Sequence, residues 1–203
     1  MPQPLLRSFF IIAQLAIVLL IPLVMSPAQA HSSRDAHESD EVAAKGGDFT
    51  LMSASGPVAL KDFRGKVVVI YFGYTHCRDI CPLTLGKLGS VLTAMEPEEV
   101  AQIQPVFITV DPARDDAKQM ATYSESFHPK LIGLTGSEAE IAAVAKDYGI
   151  NYEKGPVNAD GSYDIGHPSA IYFVGREGKL LGTLPSKSSP TRIMNALRQA
   201  LEP

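Results

Sequence analysis

Cysteine is scarce in this sequence: 203 residues hold only two, Cys77 and Cys81, with three residues between them. There is no basic block, and the net charge is −4, so nucleic acid is a poor partner. There is no internal repeat and no sign of a second domain. What remains is one domain plus appendages, and 45% hydrophobic residues are enough for a sizeable core. Any thiol chemistry must run through one stretch, Gly73-Tyr74-Thr75-His76-Cys77-Arg78-Asp79-Ile80-Cys81-Pro82.

The chain starts apolar. Arg7 is followed by the apolar residues 9–25 and then by Ser26-Pro27-Ala28-Gln29-Ala30. Ala28-x-Ala30 is a small-residue cleavage signature, so residues 1–30 read as a secretory signal cut after Ala30. Segment 9–25 is a little long for a signal, and Pro22 weakens it as a span. The alternative is an uncleaved membrane tether. Either reading puts the rest of the chain outside the cytoplasm, in the periplasm or on the outer face of the inner membrane. Residues 31–47 are polar and end in Gly-Gly, as a flexible linker does. Residues 48–203 form the expected folded domain.

Residues 48–52 and 56–60 read as a short hairpin. Val67-Val68-Val69-Ile70-Tyr71-Phe72 is β-branched and aromatic without alternation, the pattern of a strand buried on both faces. Beyond the cysteines, Cys81, Leu85, Leu88, Leu92 and Met95 advance by fours and threes, one face of a helix. Pro82 is tolerated in its first turn, and Pro97 marks its end. Gly86 and Gly89 lower its helix propensity and leave room for close packing. Residues 104–110 form a second buried strand. Asp115 is expected to cap a helix carrying Ala117, Met120, Ala121, Ser124 and Phe127. Residues 131–134 make a short strand.

Ser137-Glu138-Ala139-Glu140 is a capping box. It opens a helix with Ile141, Val144, Ala145 and Tyr148 on one face, closed by Gly149. A polar loop, 151–166, follows. Residues 169–174 and 179–184 then form a hairpin, and Pro190 opens a last helix through Leu201. The order β-β-β-α-β-α-β-α-β-β-α predicts an α/β, thioredoxin-like fold. Its mostly parallel central sheet has helices on both faces and an antiparallel hairpin at one edge.

Export bears on the thiols. In an oxidising compartment a lone pair forms a disulfide unless it is metallated or kept reduced by a partner. A structural bridge gains most from a long loop, so a three-residue spacing argues against a staple. A redox pair and part of a metal site both remain. A helix N-terminus favours a thiolate, and Arg78 adds a cation. Both effects serve a nucleophile and a ligand alike. Positions i and i+4 of a helix hold Cβ atoms about 5–6 Å apart, whereas a disulfide needs about 3.5–4.5 Å. Two thiolates on one ion sit roughly 4 Å apart at sulfur. The gap therefore favours a metal unless Cys77 lies in the loop before the helix.

Two thiolates call for a third donor among five histidines. His31 and His37 lie in the linker. His76 abuts Cys77, where a side chain is expected to point away. His128 reads as a helix-end or surface residue. His167 stands immediately before a core strand, and in a thioredoxin-like sheet that loop lies against the N-terminus of the cysteine helix. Two cysteines and a histidine suit copper, Cu(I) above all, with the imidazole also serving Cu(II). Zinc would want a fourth ligand. Asp111 and Asp115 read as a turn residue and a cap.

The chain resembles the Sco/SenC family across roughly residues 46–200. The resemblance rests on Leu60-Lys61-Asp62-Phe63-Arg64-Gly65-Lys66, Tyr71-Phe72-Gly73-Tyr74-Thr75-His76-Cys77, Cys81-Pro82, Val110-Asp111-Pro112-Ala113-Arg114-Asp115, Leu131-Ile132-Gly133-Leu134-Thr135-Gly136 and His167. It implies a thioredoxin-fold copper protein of the cell envelope or mitochondria. Cys77, Cys81 and His167 would bind copper for the binuclear site of cytochrome c oxidase, with subunit II as acceptor. The family usually has proline after the first cysteine, where this chain has Arg78. It often has aspartate before the histidine, where this chain has Gly166, with Asp164 as the substitute behind the imidazole. Pro168 falls near the cis-proline of thioredoxins. X–Pro bonds adopt cis at modest cost, and a cis His167–Pro168 bond would strengthen the redox reading. The alternative function is a thiol–disulfide oxidoreductase or redox sensor, with Cys77 and Cys81 as a redox-active disulfide and a thiol-redox or copper-donor partner. A peroxiredoxin would carry Thr or Ser at the place of Tyr74.

Overall fold

The computed structural model describes residues 45–202. The signal or tether assigned to residues 1–30, and the linker up to residue 44, lie outside the described residues. Among the described residues, no helix is long and apolar enough to cross a membrane.

Strands β1 (Thr50–Ser53) and β2 (Gly56–Ala59) pair as a hairpin. After a short 3-10 turn come β3 (Val67–Gly73), α1 (Ile80–Ala94), α2 (Pro97–Ala101) and β4 (Ile103–Thr109). Next are α3 (Ala117–Glu125), β5 (Ile132–Leu134) and α4 (Glu138–Asp147). A two-residue ribbon, β6 (Glu153–Lys154) with β7 (Ile165–Gly166), crosses the base of the polar loop. The chain closes with β8 (Ala170–Val174), β9 (Leu180–Pro185) and α5 (Pro190–Leu201).

The central sheet has the order β5-β4-β3-β8-β9. β3, β4 and β5 are parallel, β8 is antiparallel to β3, and β9 is antiparallel to β8. β8 is therefore the one reversed strand. Every residue of β3 and β4 is buried, as the unalternating apolar runs require. Alternate side chains of β3 feed two cores. Val68, Ile70 and Phe72 pack with α4 and the N-terminal hairpin. Val67, Val69 and Tyr71 pack with α1, α5 and Met120 of α3. On α1, Leu85, Leu88, Val91 and Leu92 are buried, each contributing about 1.5–3 kcal/mol. A Cβ on Gly89 would meet the Phe127 carbonyl oxygen at 2.3 Å, whereas one on Gly86 would meet nothing within 4 Å. Only Gly89 serves close packing.

The register pairs Gly73 with Thr109 and Tyr71 with Ile171. β3 thus leaves the sheet beside the point where β8 enters it. This places the cysteine loop and the histidine loop at one end.

Several expectations need correction. The N-cap of α3 is Asp116, whose side chain accepts the N–H of Gln119 at 2.8 Å. Asp115 is fully buried instead. It accepts the Thr75 N–H (3.0 Å) and the hydroxyls of Thr75 (2.5 Å) and Thr109 (2.7 Å). Pro97 stands two residues past the α1 cap Met95, as expected, and also opens the short α2. There is no cis peptide bond among the described residues, so His167–Pro168 is trans and lends the redox reading no support.

Candidate metal centre

Ligands of open α/β sheets gather at the carboxyl ends of the strands, and here three loops meet there. They are residues 74–79 after β3, residues 110–116 after β4, and residues 155–169 before β8.

Helix α1 begins at Ile80, between the two cysteines. Cys77 therefore lies in the loop and Cys81 in the first turn, so the helical i, i+4 spacing does not govern the pair. The first N–H groups of a helix need outside partners, yet the cap residue Asp79 makes no side-chain bond. The N–H of Cys81 donates to Cys77 Sγ at 3.4 Å, so a sulfur stands where a capping oxygen would. Both thiols are free, Cys77 half-buried and Cys81 fully buried. A Cβ on Gly73 would lie 2.8 Å from Cys81 Sγ, so that sulfur is seated on a bare Cα. The Tyr71 hydroxyl lies 3.8 Å from it and 3.0 Å from Ser169 Oγ. Burial, and then the Cys77 thiol, push the Cys81 thiol up to about 12 against the opposing Tyr74 N–H. For Cys81, the expected lowering by the helix end and Arg78 does not hold.

His167 directly follows β7 and presents Nε2 to Cys81 Sγ at 4.0 Å. Its Nδ1 lies 2.9 Å from the Pro168 carbonyl oxygen. A carbonyl only accepts, so Nδ1 carries the proton and the Nε2 lone pair faces the sulfur. Burial holds the imidazole below its ordinary pKa, and the Pro168 carbonyl offsets only part of this. Asp164, expected behind the ring, accepts the Tyr74 hydroxyl at 3.4 Å instead. Tyr74 in turn packs against the His167 ring edge-on, with centroids 6.1 Å apart.

His76 turns away, with Nδ1 3.2 Å from Thr75 Oγ1 and 3.6 Å from Asp115 Oδ1. His128 accepts the Lys130 N–H at 3.1 Å. His31 and His37 lie outside the described residues. Asp111 accepts the Tyr163 hydroxyl at 2.9 Å and pairs with Arg114, whose guanidinium stacks over the Tyr163 ring at 3.5 Å. The aspartates after β4 are thus structural anchors. Among the described residues, no three His, Cys, Asp or Glu side chains close on one point as they stand. Cys81 and His167 face each other, while Cys77 is engaged with the helix amide. Sequence reasoning missed Tyr71, Gly73, Tyr74 and Ser169. Tyr71 carried a signal, since a tyrosine inside a fully buried strand needs a partner for its hydroxyl.

The SCO1/SenC family model matches residues 37–202. The chain belongs to the SCO1/SenC family. The mitochondrial SCO2 homolog of Mus musculus is 43% identical over 155 residues, 75% of this chain and 61% of that protein. The Homo sapiens SCO2 homolog is likewise 43% identical over 155 residues, covering 58% of its length. The match spans about three-fifths of these relatives' own length. Arabidopsis thaliana ScoI with copper bound superposes with a TM-score of 0.71 at 36% identity, covering 77% of this chain and 97% of that one. Bradyrhizobium japonicum ScoI with copper bound gives 0.70 at 38%, covering 77% and 99%. The thioredoxin-like architecture expected from the element order is the one SCO1/SenC members share with this chain.

Proposed function

We propose that this chain is a copper metallochaperone that holds its cargo through Cys77, Cys81 and His167 outside the cytoplasm. Copper passes by ligand exchange to the binuclear site of cytochrome c oxidase subunit II, with no substrate turned over. The observation that carries this reading is the 4.0 Å approach of Cys81 Sγ to His167 Nε2. A thiolate and an imidazole on one ion lie roughly 3.5–4 Å apart, given bonds of about 2.3 and 2.0 Å. The donor set is soft and short of tetrahedral, as copper tolerates. Completing it asks for rotation of the Cys77 side chain about χ1, away from the Cys81 amide. The family membership and the copper-bound relatives support the same reading. Anaerobic titration of the reduced protein with Cu(I) tests it. One equivalent should bind, and binding should fall sharply in Cys77→Ser, Cys81→Ser and His167→Ala. Unchanged binding in all three variants refutes the site.

A second reading follows from the asymmetry of the thiols, one half-exposed and one buried. Cys77 would attack a partner's disulfide to form a mixed disulfide. Cys81 would then attack Cys77, releasing the partner as a dithiol and leaving a Cys77–Cys81 disulfide. Under this reading Cys81→Ser traps the mixed disulfide, and His167→Ala leaves exchange largely intact.

A further inference from the structure

Tyr74 is where the two halves of the site touch. Its backbone carbonyl accepts the Cys77 N–H at 3.3 Å. Its ring meets His167 edge-on at 75°. Its hydroxyl donates to Asp164 at 3.4 Å and accepts the Ile165 N–H at 3.2 Å. The residue is buried, at 4% exposure. Arg114, held by Asp111 and stacked on Tyr163, backs the ring at 5.7 Å. One residue therefore holds the cysteine loop through its carbonyl and the chain two and three residues ahead of His167 through its hydroxyl. Gly166, the immediate neighbour, offers no side chain to the imidazole. The Pro168 carbonyl fixes the tautomer, but it moves with the ring's own backbone and cannot set the ring's distance from α1. Tyr74 can, because it directly follows Gly73, the last residue of β3.

We propose that Tyr74 is a positioning residue that sets the separation of Cys81 and His167. Its consequence for copper rests on the metallochaperone reading; the positioning itself does not. Removing the hydroxyl frees Asp164 and leaves the Ile165 N–H without its acceptor, so the residues ahead of His167 lose this tie, while Ser169 beyond it still bonds Tyr71. The ring of a phenylalanine at this place preserves the edge contact and the packing volume, which isolates the hydroxyl.

The test is Tyr74→Phe, read first in the metal-free protein by the side-chain nitrogen and proton NMR signals of the histidines. His167 signals should shift and broaden while those of His76 and His128 stay in place. With Cu(II) as the probe, the variant should bind about tenfold more weakly, the usual cost of losing a group that orients a ligand, with altered EPR hyperfine splitting. Unchanged His167 signals overturn the proposal, whatever copper does. If Tyr74→Phe fails to fold, Asp164→Ala releases the same hydroxyl from the other side and decides by the same signals. If the wild type takes no copper while the His167 signals still move, the copper reading fails and the positioning role stands.

Discussion

The N–H of Cys81 donates to Cys77 Sγ at 3.4 Å, which divides the two thiols by exposure and by task. Cys77 is at the surface of the site, and Cys81 lies beneath it with its thiol pushed up. Thiol reactivity follows exposure and thiolate fraction. Brief iodoacetamide treatment of the reduced, metal-free protein should therefore label Cys77 well before Cys81. Peptide mass spectrometry over a time course checks this, and equal labelling would contradict the burial of Cys81.

Asp115 accepts three hydrogen bonds at full burial, two from Thr75 and one from Thr109. Asp115→Ala strips the acceptor from the buried Thr109 hydroxyl and from two half-buried Thr75 donors, at about 1–3 kcal/mol for each one left unsatisfied. The expected loss is about 3 kcal/mol or more, measurable as a lower urea midpoint. Asp116→Ala removes only a cap and should cost about 1 kcal/mol.

The two glycines of α1 should respond in opposite directions. Gly86→Ala fills open space on a helix and should stabilise by about 1 kcal/mol from propensity alone. Gly89→Ala drives a methyl into the Phe127 carbonyl and should destabilise despite the same gain. Thermal unfolding of the two variants side by side makes the comparison.

Burial first, and the Lys130 charge second, hold His128 below the ordinary histidine pKa. As pH falls through that ordinary value, near 6.5, the unfolded chain takes up a proton that the folded chain refuses. The stability is thus present above the ordinary value and is lost as pH drops toward the folded one. His128→Asn keeps an acceptor near the place of Nδ1. It should flatten the dependence of stability on pH just below the ordinary histidine value.

Much of this was legible in the sequence because it is periodic or rare. The inward face of α1, the buried run of β3 and the capping box at Ser137 each announce themselves within a dozen residues. The cysteines stood out by scarcity, and His167 by its place before a core strand. Other features were illegible because they depend on distant partners. Asp115 and Asp116 are neighbours of the same type, and only Thr75 and Thr109, on other segments, decide which one turns inward. The first residue of α1 was ambiguous because Pro82 permits several starts, and it determines whether Cys77 is helical. Tyr74 gave no local hint, since its hydroxyl partners lie about 90 residues away.

The single reversed strand, β8, has a consequence in time as well as in space. It brings together two donors that lie 86 residues apart in the chain. A chain that emerges N-terminus first exposes both thiols before residue 167. No fragment ending before residue 167 carries all three of the proposed donors, so early capture of a metal by the thiols alone would lack the imidazole. Under the metallochaperone reading, a complete site is therefore a certificate that the sheet has closed.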